Sequence, residues 1–176
     1  MGRGLQPDHF FNSAHNITPA FLLAHGTRGV ILDIDNTLVF YGVHHPTGEN
    51  IAWIESLTGA GLQVAFVSNG YRERVEEYNV DFGFYMSHKS GKPKPQGFLL
   101  AARHMGLAPE QVAVVGDQIF TDIWGGNNAG MLTLLVRPIQ PEPWLRFKVK
   151  RALERPITRR LKPYDSPNPH DEGERT

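Results

Sequence analysis

The 176 residues are 40% hydrophobic, enough for one self-supporting core and too short a chain for two ordinary domains. The absence of cysteine excludes disulfides, thiolate nucleophiles and cysteine-held zinc or iron–sulfur sites, so any metal has to be bound through oxygen or histidine. Eighteen basic residues balance eighteen acidic ones, but unevenly: residues 1–140 hold 9 Lys/Arg against 12 Asp/Glu, 141–163 hold 8 against 2, and 164–176 hold 1 against 4.

Along the chain, Thr18-Pro19 reads as an N-cap with proline in the first turn of a short helix that runs to Gly26. Val30 to Leu32 is too short and too β-branched for a helix and predicts a buried strand ending at Asp33. Ile51, Trp53, Ile54 and Leu57 recur at helical spacing within 49–57. Leu62 to Val67 is a second buried strand, closed by Ser68-Asn69-Gly70, and a charged helix follows near 71–78. A weak strand at 83–86, a helix from Gln96 to Met105, a strand at Val112–Val115, a helix over 121–129 and a strand at Leu132–Val136 complete the alternation.

Continuous apolar strands separated by helices predict an α/β, Rossmann-like, doubly wound parallel sheet of about five strands with helices on both faces. Ligands bind such sheets at the carboxyl ends of the strands. Asp33, Asp35, Ser68 and Asp117 all directly follow apolar runs and are expected at that edge. The expected organisation is a domain over 1–140, a basic amphipathic extension over 141–163 and a disordered tail over 164–176.

Two aspartates one residue apart at a strand end suit phosphoryl transfer, which needs a nucleophile beside a hard cation. Asp33 can attack phosphorus while Mg²⁺ neutralises charge, and Asp35 can protonate the leaving oxygen and later activate water. Taken alone, the same spacing describes a capped turn. Ser68 and Asn69 offer a hydroxyl and N–H groups to phosphate, or an ordinary helix cap. Lys92, in Gly91-Lys92-Pro93-Lys94-Pro95, can stabilise charge on a transferring phosphate or simply sit in solvent. Asp117 and Asp122 follow Gly116, where Asp117 can complete an oxygen shell for Mg²⁺ and Asp122 can cap the next helix while supporting the ligands behind it.

Asp33-Ile34-Asp35-Asn36-Thr37, Ser68, Lys92, and Gly116-Asp117 with Asp122, in this order, resemble the four motifs of the haloacid dehalogenase superfamily. More closely, the chain is similar to the YqeG family over roughly residues 10–161. That likeness rests on Ile17-Thr18-Pro19, 33–38, Val67-Ser68-Asn69, and Gly116-Asp117-Gln118 through Thr121-Asp122 to Gly125-Gly126-Asn127. With its second aspartate at Asp35, the resemblance implies phosphatase or phosphomutase activity, and the reading adopted is a phosphatase working through an aspartyl-phosphate on Asp33. Its catalytic residues would be Asp33, Asp35, Thr37, Ser68 and Lys92. Phosphate would bind Ser68, Asn69 and Lys92, and Mg²⁺ would bind Asp33, Asp35 and Asp117. Lys92 is chosen over Lys94 because it opens the K-P-x-P run. Gly70 departs from a second Asn in the family pattern. The 32 residues from Asp35 to Ser68 and 23 from Ser68 to Lys92 leave no room for a cap domain.

The segment from Trp144 to Arg155, closed by Pro156, reads as a basic amphipathic helix with Leu145, Val149, Ala152 and Leu153 on one side. It can be a terminal helix docked on the sheet with a solvated outer face, or an attachment to anionic lipid or RNA through 144–162. No apolar run is long enough to span a bilayer and no export signal is visible, so the expected location is cytoplasmic, peripheral at the inner membrane face if the basic segment binds lipid. The expected substrate is a phosphorylated small molecule or lipid headgroup. The resemblance to the YqeG family implies phosphatidylglycerophosphate as the specific candidate, with a soluble phosphometabolite or nucleotide as the alternative and a non-catalytic RNA-binding module as the third reading. His44-His45 reads as a solvated loop rather than a metal pair.

Overall fold

The computed structural model describes residues 4–141 and 145–164. In chain order the elements are β1 (His9–Phe11), α1 (Pro19–Ala24), β2 (Gly29–Leu32), α2 (Gly48–Gly59), β3 (Gln63–Val67), α3 (Arg72–Asn79), β4 (Tyr85–Ser87) and α4 (Gln96–His104). They continue through β5 (Val112–Gly116), a π-helical turn (Ile119–Ile123), α5 (Trp124–Ala129), β6 (Leu132–Val136) and α6 (Leu145–Thr158). All six strands are parallel, in the order β1-β6-β5-β2-β3-β4.

Alternation along the strands sorts the core onto two faces. Val30, Leu32, Val64, Phe66, Ala113 and Val115 join Phe21, Leu22, Trp53, Ile54, Leu57, Val75 and Tyr78 beneath α1, α2 and α3. Ile31, Ala65, Val67, Val112 and Val114 turn the other way and meet Phe98, Ala101, Ala102 and Ala129 of α4 and α5. The sheet is therefore covered on both sides, as the unbroken apolar runs require. Between β2 and β3 there is a single helix, with no inserted cap.

The sheet has one strand more than the sequence predicts. β1 is three residues long and pairs only with β6, His9 opposite Leu134 and Phe11 opposite Val136, so it carries no periodicity of its own. A second difference concerns Pro156, which lies inside α6 instead of ending it. Proline removes one N–H and crowds the carbonyl four residues earlier, but close to a helix end few bonds depend on it. Trp144 and the tail 165–176 lie outside the described residues. Tyr164, assigned to the tail by sequence, instead donates its N–H to Phe10 O at 2.6 Å and packs its ring against Phe11 and Phe21. No helix among the described residues is long and apolar enough to cross a membrane.

Candidate active site

β2 and β5 are adjacent and in register, so Asp33 and Asp117 emerge side by side at their carboxyl ends. Thr37 bridges them, its Oγ1 lying 3.1 Å from Asp33 Oδ2 and 3.2 Å from Asp117 Oδ1. A hydroxyl has one proton, so both contacts form together only when a carboxyl supplies the other. Thr37 is brought back by Asn36, which adopts a left-handed φ of 63°, a conformation asparagine tolerates better than most residues. The Asn36 side chain donates to Gln140 O and accepts from Gln140 N, tying the motif loop to the segment after β6.

Lys92 enters from the loop before α4. Its ammonium donates to Asp33 Oδ1 at 2.6 Å, Asp122 Oδ1 at 2.7 Å and Val67 O at 2.9 Å, so all three protons are used. Asn69 holds that loop: its Oδ1 accepts from Lys92 N at 3.0 Å and its Nδ2 donates to Lys92 O at 3.3 Å. Ser68 is buried, and its hydroxyl accepts from Gly70 N at 3.0 Å. A Cβ on Gly70 would sit 3.1 Å from Ser68 Oγ and 3.5 Å from Asp35 Oδ2, so glycine keeps this side of the cleft open. Lys94 is exposed.

Asp122 reaches the cluster because the chain winds as a π-helical turn after β5, a local irregularity that recurs at functional sites. Its Oδ2 accepts from Gln118 N at 3.1 Å. A Cβ at Gly116 would collide with the Asp122 side chain, which explains the glycine in Gly116-Asp117. Gly125 and Gly126 likewise let α5 approach Phe98, Val114 and Thr133, while the Asn127 side chain ties down the segment before β1 by donating to Gly4 O and Gln6 O.

The carboxylates of Asp33, Asp117 and Asp122 offer oxygens all within 4.8 Å of one another. Asp35 does not join them with its side chain. Its Oδ1 accepts from Arg74 Nη2 at 3.1 Å, and Arg74 in turn lies over the Tyr78 ring. Two further Arg74 nitrogens, Nε and Nη1, are buried without a hydrogen-bond partner. On the other side, Arg151 of α6 binds both the carboxylate and the carbonyl oxygen of Asp117 and also contacts Glu154, which accepts from Phe120 N at 3.2 Å. Sequence reasoning misses Arg74, Arg151 and Glu154. The available signal for Arg74 is its place in the first turn of a helix that starts at the ligand-binding edge of the sheet.

Four buried carboxylates (Asp33, Asp117, Asp122, Glu154) thus share two cations, Lys92 and Arg151. Burial pushes Asp33 up to about 7 against the opposing pull of Lys92, with Asp122 and Asp35 adding to the rise. Asp117 is raised well above the usual carboxylate range by burial, with Arg151 opposing, and Glu154 is raised for the same reasons. For Lys92, burial would lower the ammonium, but Asp122 and Asp33 outweigh it and hold it above the ordinary lysine value. With all four ionised, two negative charges would be in surplus, and this together with the all-oxygen donor set suits a hard divalent cation.

Asp33, Asp35, Ser68, Arg74 and Lys92 line one open cleft of about 380 Å³, rimmed by Tyr41, Gly42, Tyr71 and Lys150. His44, in the loop beyond that rim, contacts Glu77 of α3.

A family model described as haloacid dehalogenase-like hydrolase matches residues 42–130. The Bacillus subtilis protein named "Probable phosphatase YqeG" is 36% identical over 156 residues, covering 89% of this chain and 91% of that protein. Phosphatidylglycerophosphate phosphatase 1, chloroplastic/mitochondrial, of Arabidopsis thaliana is 29% identical over 156 residues, and the match covers 80% of this chain but 44% of that longer protein. Among solved structures, a HAD phosphatase from Thermococcus onnurineus superposes with a TM-score of 0.53 at 13% identity, covering 72% of this chain and 98% of that one, a likeness of fold.

Proposed function

From a chain that belongs to the haloacid dehalogenase-like hydrolases, in the YqeG family, and is a phosphatase acting on phosphoric monoesters, we propose a Mg²⁺-dependent enzyme that works through an aspartyl-phosphate on Asp33. The carrying observation is the Asp33 carboxylate on the floor of an open cleft, held between Lys92 and Thr37. One carboxylate oxygen attacks phosphorus, the bond to the leaving oxygen breaks, and Asp35 delivers a proton to that oxygen. Asp35 then takes a proton from water, which attacks the acyl phosphate, releasing inorganic phosphate and restoring Asp33. Arg74 keeps Asp35 turned toward the cleft. Lys92, Ser68 and Asn69 bind the phosphoryl oxygens, Lys92 by charge and the other two by hydrogen bonds from the loop after β3.

Asp33, Asp35 and Asp117 would hold Mg²⁺, with the Asp33 and Asp117 carboxylates lying together, while Asp122 anchors Lys92 behind them. When bound, the ion supplies the positive charge that keeps Asp33 ionised and offsets charge on the phosphoryl group. For substrate we propose the headgroup of phosphatidylglycerophosphate. Support comes from the uncapped cleft, which excludes nothing large, and from the Arabidopsis relative that carries that name.

The test is turnover of an aryl phosphate and of phosphatidylglycerophosphate with Mg²⁺, with and without a chelator, beside Asp33→Asn. Metal-dependent turnover of both, lost in the variant by roughly 10³-fold or more, is expected. Equal turnover by Asp33→Asn sinks the nucleophile assignment, and turnover of soluble esters alone sinks the lipid.

A further inference from the structure

A helix that only covers a sheet turns its apolar side inward. α6 turns part of its apolar side outward. Leu145, Val149 and Leu153, spaced by four, form one stripe whose members are 76%, 53% and 62% exposed. The inward side carries Arg151, which holds Asp117, and Glu154, only 1% exposed, with Ile157 and the following Leu161 packed against Phe10, Ile119, Ile123 and Leu135.

Beside the stripe stand Lys148 and Arg155, and beyond the helix Arg159, Arg160 and Lys162, all exposed. Glu154 is the sole acid in 145–164, and it is buried. Every charge that the described residues of 145–164 show to solvent is therefore positive. Lys150, next to Val149, lines the rim of the catalytic cleft.

We propose that the outer face of α6 is a docking surface for an anionic phospholipid bilayer. A partner has to accept aliphatic side chains and neutralise the bases around them in one contact. RNA supplies the negative charge without an apolar phase, and a second copy of this chain sets positive against positive. An anionic bilayer supplies both, with the stripe entering the acyl boundary and the long basic side chains reaching up to the phosphates. Docked this way, the helix lies in the membrane surface with the cleft mouth alongside. The docking needs no assumption about the substrate.

Co-sedimentation of the full chain with vesicles tests it, using phosphatidylcholine alone and an equal mixture with phosphatidylglycerol, at about 0.1 M salt. Binding to the mixed vesicles, weak binding to the neutral ones and release by high salt are expected. Val149→Ser with Leu153→Ser lowers partitioning roughly tenfold, and Lys148→Glu with Arg155→Glu does so at least as strongly. Leu100→Ser, on an exposed apolar residue of α4, changes nothing. Aryl phosphatase activity without vesicles stays at the wild-type level in all three, which shows them folded. Asp33→Asn binds vesicles like wild type, so loss of catalysis and loss of docking are read separately. Wild-type protein left in the supernatant, or a double serine variant that sediments equally, overturns the assignment. So does a dimer in sedimentation equilibrium that the serine substitutions dissociate, since the face would then belong to a second copy.

Discussion

Two regions depart from the usual arrangement of apolar side chains inside and charges outside, and they depart in opposite directions. At the carboxyl ends of β2 and β5, charge is buried: Asp33, Lys92, Asp117 and Asp122 are each under a tenth exposed. On α6, aliphatic side chains are turned to solvent. Buried charges bear on one another strongly because little water screens them, so each has to be matched or the group changes its protonation. An exposed leucine is matched by nothing in the fold and adds little to its stability. The first departure is thus expensive and coupled, whereas the second is nearly free for the folded chain, and substitutions in the two regions should separate accordingly.

The largest effect is expected at Lys92. Lys92→Met leaves Asp33 and Asp122 without their shared cation, and urea denaturation should show a loss of about 3–5 kcal/mol together with loss of activity. A loss below about 1 kcal/mol would mean that the carboxylates take up protons and need no lysine. Arg151→Met comes next, at about 1–3 kcal/mol, because Arg151 is partly exposed while Asp117 and Glu154 are buried. An unchanged denaturation midpoint there would mean that α6 is not coupled to the site.

pH sharpens the same contrast. Asp33 is raised to about 7 from an ordinary value of 3.8, so between those values the folded chain binds a proton that the unfolded chain does not. Stability contributed by that proton is present at low pH and lost as pH rises toward 7. In a chelator, Tm should fall by roughly 5 °C between pH 5.5 and 8, and Mg²⁺ should restore most of it at pH 8. A Tm that is flat over this range, or one that rises, contradicts the assigned shift. The smallest effect belongs to α6: Leu153→Ser should stay within about 0.5 kcal/mol of wild type. A cost above about 2 kcal/mol would mean that the stripe is packed in solution.

The central strands are legible in the sequence because each is an unbroken apolar run bounded by a turn, and Leu132–Val136 appears with the bounds expected. Asp33, Thr37, Lys92, Asp117 and Asp122 are visible as residue types at strand ends or in the loop between strands, and the structure brings their side chains together. What stays hidden depends on contacts made far along the chain. β1 exists only through pairing across 125 residues. Arg74 sits in Arg72-Glu73-Arg74-Val75-Glu76-Glu77, where each charge looks solvated, and Arg151 sits in a basic run where one guanidinium cannot be told from its neighbours. Periodicity finds the apolar stripe of α6, but not which way it points. That orientation is decided by Arg151 and Glu154, whose partners Asp117 and Phe120 each lie 34 residues away, after β5.

The nucleophile is tested most directly by rapid acid quench during turnover, followed by mass spectrometry of the digested chain. One phosphoryl group on the peptide containing Asp33, absent from Asp33→Asn and lost on incubation at neutral pH, is the predicted result. Steady turnover with no phosphorylated peptide, or with the label on another residue, would contradict it.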